Sequence, residues 1–216
     1  MPATLRTVAA SANRDPDRTR AAILAAARAE FARVGLGGAR VDAIALAAGT
    51  NKRMLYYYFG NKEGLFVAAL EATYEHIRAA EQNLNLGGVE PVEAIRRLVT
   101  FTWDYYLKNP EFLTLLNSEN LHRARHLKQS TKIRTLHSPF VALLREILQR
   151  GEQEGSFRSG VDPVQLYISI AAISYFYLGN NHTLSAVFDR DLMKPRAKAL
   201  RLKHMNELVL GYLRKE

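Results

Sequence analysis

Lys52 and Arg53 are followed within the next five residues by Tyr56, Tyr57 and Tyr58, so two cations and three phenols share one short segment. Arg and Lys side chains match the O6 and N7 acceptors of guanine, and a tyrosine ring offers an apolar contact to a base. At the N-terminal end of a helix, Lys52 and Arg53 suit base reading, and Tyr57 should face the groove. Arg40, a dozen residues earlier, opens another short helix and is placed to reach a phosphate or a base. A second group, Trp103, Phe112, Asn117, Asn120, Tyr167, Ser174 and Tyr175, alternates rings with polar groups. That mixture suits a small organic ligand held between helices, although rings at helical spacing also simply pack a core. His122 and His126 stand at i and i+4, where two imidazoles can share one metal. Arg125 and Lys128 flank His126 and no acidic residue falls in the same frame, so no metal site is expected.

Several function classes drop out. The chain has no cysteine, which removes disulfides, thiolate zinc sites and thiol nucleophiles. It shows neither a Gly-rich phosphate loop nor a carboxylate–His arrangement of recognisable spacing, so it does not read as an enzyme, and no cofactor is implied. A net charge of +9 in 216 residues favours a polyanionic partner. Residues 1–66 hold ten Arg or Lys against five Asp or Glu, +5 in less than a third of the length. No apolar run approaches the ~20 residues that span a bilayer. Met1 to Arg18 is basic but lacks the apolar stretch of a signal peptide. A cytoplasmic protein is expected, associated with the nucleoid when on DNA.

The elements that must position these residues are all helical; no period-2 pattern or internal repeat appears. Ile23, Leu24, Ala27, Phe31 and Val34 make one stripe over Thr19 to Val34, which Gly35-Leu36-Gly37-Gly38 ends. Val41 to Ala48 is a second helix, Gly49 a tight turn, and Lys52 to Tyr58 a third with Leu55 and Phe59 inward. Lys62 opens a fourth, ending near Leu84. Pro91 to Lys108 and Glu111 to about Thr131 are the fifth and sixth. Ser138-Pro139 reads as cap and first-turn proline of a seventh, ending at Gly151 to Gly155. Asp162-Pro163 starts an eighth, rich in rings, and Pro195 to Arg214 is a ninth. The expected fold is all-α with about nine helices: a basic arm over 1–16, a helix-turn-helix domain over 17–64, and a larger helical domain over 65–216.

Ala48-Gly49, then Leu55-Tyr56, Tyr58-Phe59, Asn61-Lys62-Glu63 and Leu65, closely resembles the helix-turn-helix of the tetracycline-repressor (TetR/AcrR) family over about residues 17–70. Thr50 and Asn51 stand where that family usually has Val and Ser, and both can cap the recognition helix. Arg53 replaces a commonly small residue. The resemblance implies that the Tyr56 and Tyr58 hydroxyls and Lys62 hold phosphates. In the second half, Asn109-Pro110-Glu111-Phe112, Glu119-Asn120-Leu121, Gly155-Ser156-Phe157-Arg158, Ser174-Tyr175-Phe176 and Asn180 to Leu184 look like repressors of catabolic genes, including nicotinate-type regulators.

The function so implied is a ligand-responsive transcriptional repressor on a double-stranded, palindromic operator, released by a small organic effector, an aromatic or heterocyclic acid being the favoured class. A palindrome needs two recognition helices about 34–36 Å apart, hence a homodimer, through the last two helices. The alternative is a DNA-binding regulator that answers to no effector.

Overall fold

A computed structural model describes residues 15–215. Ten α-helices occupy them, with no β-strand among the described residues: α1 (Pro16–Gly38), α2 (Val41–Ala47), α3 (Lys52–Phe59), α4 (Lys62–Gln82), α5 (Pro91–Lys108), α6 (Pro110–Leu121), α7 (Thr131–Gln153), α8 (Pro163–Gly179), α9 (Asn181–Val187) and α10 (Pro195–Leu213). The basic arm expected over 1–16 lies outside the described residues as far as residue 14. Its last two residues instead start α1, with the Asp15 carboxylate accepting the Asp17 N–H at 3.0 Å and Pro16 in the first turn. Gly35, at φ 69° and ψ 175°, breaks the helical path of α1 as the glycine run implied.

The buried side chains fall into two clusters. The first joins Ile23, Ala27 and Phe31 of α1 to Ile44 of α2, Leu55 of α3, and Leu65, Phe66, Ala69 and Leu70 of α4. The second joins Ile77 of α4 to Trp103 of α5, Phe112 of α6, Leu144 and Ile147 of α7, Ile170 of α8, and Met205 and Val209 of α10. One continuous helix, α4, therefore serves both cores. Leu115 of α6 and Ile133 of α7 also reach the first cluster, so the larger bundle packs directly beneath the small one.

Three sequence expectations are corrected. The sixth helix does not continue to Thr131 but stops at Leu121. Arg123 and Ala124 then both take positive φ, 55° and 57°, and reverse the chain. The cause is Glu119, fully buried, whose carboxylate accepts the N–H groups of His126 and Leu127, each at 2.8 Å. Second, α7 starts at Thr131 and runs through Pro139; Ser130, not Ser138, caps it by accepting the Ile133 N–H at 3.2 Å. Third, the described residues hold ten helices, because Asn181–Val187 folds as a short helix between the apolar α8 and the C-terminal α10.

Candidate functional site

The turn between α2 and α3 is built by backbone chemistry. Gly49 sits at φ 62°, its N–H donates to the Leu46 carbonyl at 3.0 Å, and the Thr50 N–H donates back to Ala45 at 2.9 Å. These two bonds satisfy the last carbonyls of α2 and demand a left-handed residue that only glycine adopts without strain. Asn51 then caps α3, its side-chain oxygen accepting the Met54 N–H at 3.2 Å. Thr50 does not share the task; its hydroxyl is buried without a partner. Asn61 repeats the device at the start of α4, accepting from Gly64 at 2.7 Å.

On this frame α3 buries Leu55 and turns Lys52, Arg53, Tyr56 and Tyr57 outward. Tyr57 is 77% exposed and Tyr56 48%, unusual for rings on a well-packed helix. Tyr58 is half-buried, meets the Tyr57 ring edge-on at 5.1 Å and packs on the first cluster. Phe59, expected in the core, is only half-buried and lies under the Arg20 guanidinium at 5.3 Å. Lys52 forms an exposed ion pair with Asp42 of α2 at 2.5 Å. Such pairs contribute ~0–1 kcal/mol and open readily to a phosphate or base. Arg40 is exposed just before α2. Lys62 is half-buried and donates to the Ala39 carbonyl at 3.2 Å, tying the start of α4 to the α1–α2 link. The result is an exposed face of donors and phenols on a packed core.

The residues singled out in the larger bundle do not converge on one site. Phe112 is buried, stacked on Tyr106 at 5.5 Å, and belongs to a run of rings through Tyr74 and His137 to Tyr167. Trp103 packs edge-on to Tyr177 at 5.5 Å, apart from that run. Asn117 is exposed and accepts the Tyr175 hydroxyl at 2.5 Å. Asn120 is exposed, and Ser174 is buried with its hydroxyl donating to its own helix at Ile170, 3.0 Å away. What the sequence reading missed is a charged pair, Arg78 and Glu81 of α4, buried among the same rings. The available signal was spacing: Leu70, Tyr74, Arg78 and Glu81 follow at four, four and three residues, one stripe of a helix.

His126 has an acidic partner after all. Glu119, seven residues earlier, meets its Nδ1 at 2.7 Å, while the His126 ring rests edge-on against Phe66 at 5.2 Å. His122 is exposed with its Nδ1 at the Ser118 carbonyl, 2.7 Å away. These two histidines are joined by no third ligand among the described residues.

Against known proteins, residues 23–69 match the family described as bacterial regulatory proteins, tetR family, and residues 91–209 the one described as tetracyclin repressor-like, C-terminal domain. The chain is 43% identical over 199 residues to the HTH-type transcriptional repressor NicS of Pseudomonas putida, an alignment covering 92% of this chain and 94% of that one. It is 36% identical over 143 residues to the HTH-type transcriptional repressor SCO4008 of Streptomyces coelicolor, covering 65% and 70%. The fold is shared with the fatty acid degradation regulator FadR from Bacillus halodurans: TM-score 0.64, 21% identity, covering 90% of this chain and all of that one.

Proposed function

Because the chain belongs to the TetR family of bacterial regulatory proteins, whose members are DNA-binding transcriptional regulators rather than enzymes, we propose that it binds a palindromic operator as a homodimer and releases it when a small aromatic or heterocyclic acid binds the larger bundle. The observation that carries the reading is the outward face of α3. Lys52 and Arg53 present donors to base edges, Tyr57 an apolar contact, and Arg40, Asn51, Tyr56, Tyr58 and Lys62 surround them as backbone contacts. Thr50, whose hydroxyl is buried, joins them only if that side chain turns outward. Two exposed phenols beside two cations on one short helix serve no packing purpose.

Dimerisation has its own support. Val164, Ile168 and Phe176 of α8, and Leu200, Leu208 and Tyr212 of α10, are exposed. A face with that many exposed apolar side chains is suited to a second copy in an isologous contact. The short α9 lies between these helices in the chain, so the interface proposed is α8 with α10. Phe176→Glu should shift the protein from dimer to monomer in sedimentation at micromolar concentration and lower operator affinity with it. A variant that stays dimeric would move the interface elsewhere.

The direct test is fluorescence polarisation on the DNA upstream of the chain's own gene, at two salt concentrations, with a panel of aromatic and heterocyclic acids. Affinity should exceed that for random DNA, fall steeply with salt as counterions are released, and be lost with one acid. Specific binding that no acid relieves would favour a regulator without such an effector. Tyr56→Phe isolates one phosphate contact. It should weaken operator binding several-fold, in line with ~1 kcal/mol for one hydrogen bond, with almost no change in Tm. Unchanged binding with a much lower Tm would make Tyr56 a packing residue.

A further inference from the structure

Arg78 and Glu81 are a buried charged pair of the second core that fold stability leaves unexplained. Arg78 is 4% exposed. Its Nη1 lies 2.7 Å from Glu81 Oε2, its Nη2 donates to the Tyr167 hydroxyl at 3.1 Å, and its guanidinium sits 4.5 Å from the Phe140 ring centre. Yet Arg78 Nε and Nη1 and Glu81 Oε2 are buried without a hydrogen bond, the two charges being close but poorly aligned. Buried donors left unmade are destabilising, and a pair of this kind is weak support for a fold. Beside it, between α4 and α7, a cavity of about 180 Å³ is bounded by Arg78, Glu81, Thr135, Leu136, Phe140 and Leu143.

We propose that this cavity is the effector site and takes a single-ring aromatic or heteroaromatic carboxylate, its carboxylate pairing with Arg78 in place of Glu81 and its ring packing on Phe140. The inference rests on the ligand-responsive reading above and names its residues and compound class. Volume points to the class: a cavity of about 150 Å³ accommodates benzene, so one ring with one small substituent fills this space of about 180 Å³. The planar guanidinium sets the charge, since its fork matches a carboxylate in two parallel bonds. The position sets the consequence, because the same helix packs Leu65, Phe66 and Leu70 in the DNA-binding core.

An anion entering a neutral pair needs a proton. Burial raises the Glu81 pKa to about 7, against the opposing pull of Arg78, so near neutrality Glu81 can take up a proton and release Arg78 to the ligand. The other groups facing the pair are Tyr74 on α4, Tyr105 and Tyr106 on α5, His137 on α7 and Tyr167 on α8, with Glu119 of α6 felt at Tyr74. Burial raises all four tyrosines, while burial and Arg78 lower His137, so all five stay neutral around pH 7.

The test uses the full chain with benzoate, the three pyridine monocarboxylates, benzamide as the uncharged shape match, and octanoate, by calorimetry and thermal shift. One or more single-ring carboxylates should bind with uptake of a proton, and affinity should fall about tenfold per pH unit above pH 7. Benzamide, which lacks the charge that pairs with Arg78, should bind at least about tenfold more weakly. Octanoate, which lacks the ring that packs on Phe140, should also bind more weakly than benzoate. Arg78→Met should lose the carboxylate, and Glu81→Gln should bind it more tightly with no pH dependence. If Arg78→Met fails to fold, the compound series and Glu81→Gln carry the test. Failure of every single-ring carboxylate to bind, equal binding of benzamide and benzoate, or a folded Arg78→Met with wild-type binding overturns the site. Operator release, measured in parallel, separates the two readings. A compound that still releases DNA from Arg78→Met overturns this site and leaves the ligand-responsive reading. Carboxylate binding lost in Arg78→Met, but without effect on operator affinity in wild type, leaves the site and overturns its effector role.

Discussion

Gly64→Ala is expected to weaken operator binding about tenfold or more, the equivalent of one good base contact at ~1–3 kcal/mol, and to lower stability by ~1–3 kcal/mol. A Cβ at position 64 would stand 2.2 Å from the Phe59 carbonyl oxygen and 3.3 Å from the Asn61 side-chain oxygen. The first contact is backbone, so no rotamer change relieves it. The end of α3 and the start of α4 must move apart, and α3 is the helix that carries Lys52, Arg53, Tyr56 and Tyr57. Gly37→Ala is the control, because a Cβ there meets nothing within 4 Å and the backbone φ is not positive. Calorimetry and polarisation on both variants check it. Gly64→Ala with wild-type operator affinity would mean that the α3–α4 junction does not set the aim of the recognition helix.

Glu119→Ala should cost about 3–5 kcal/mol, a fall in Tm of roughly 10 °C for a chain of this size. The carboxylate is fully buried and accepts the His126 and Leu127 N–H groups, with His126 Nδ1 at 2.7 Å from its second oxygen. Alanine would leave these buried groups unpartnered together. It would also free the 122–130 connection, whose His126 ring braces Phe66 in the DNA-binding core, so operator affinity should fall with stability. Glu119→Gln, which keeps one acceptor oxygen, should lie between. An alanine variant that melts within a degree of wild type would show that the reversal after α6 holds without its anchor.

The helix-turn-helix was legible in sequence because its determinants are local. Gly49 supplies the one positive φ the turn needs, Asn51 caps from within hydrogen-bond reach of its own helix, and Leu55 falls on the only apolar stripe α3 has. Each acts over a few residues, and its type discloses its role. The same holds for Asp162-Pro163 and for the glycine break at Gly35. The α6–α7 connection was not legible. Residues 122–128 carry no helix breaker, and their reversal is imposed by the Glu119 carboxylate, seven residues before His126, which is buried only in the packed structure.

Sequence alone thus determined the all-helical class, the basic reading helix and its caps, and the family, since periodicity, caps and turn glycines are written in neighbouring residues. Tertiary structure decided that α4 belongs to both cores, that the polar and aromatic residues of α5, α6 and α8 scatter rather than converge, and that Arg78 and Glu81 are buried. A charge on a helix reads as solvent-facing until the neighbouring helices are placed. Only packing of α5, α7 and α8 against α4 removes water from that pair, and with it turns an ordinary i, i+3 ion pair into an unsatisfied one beside a cavity.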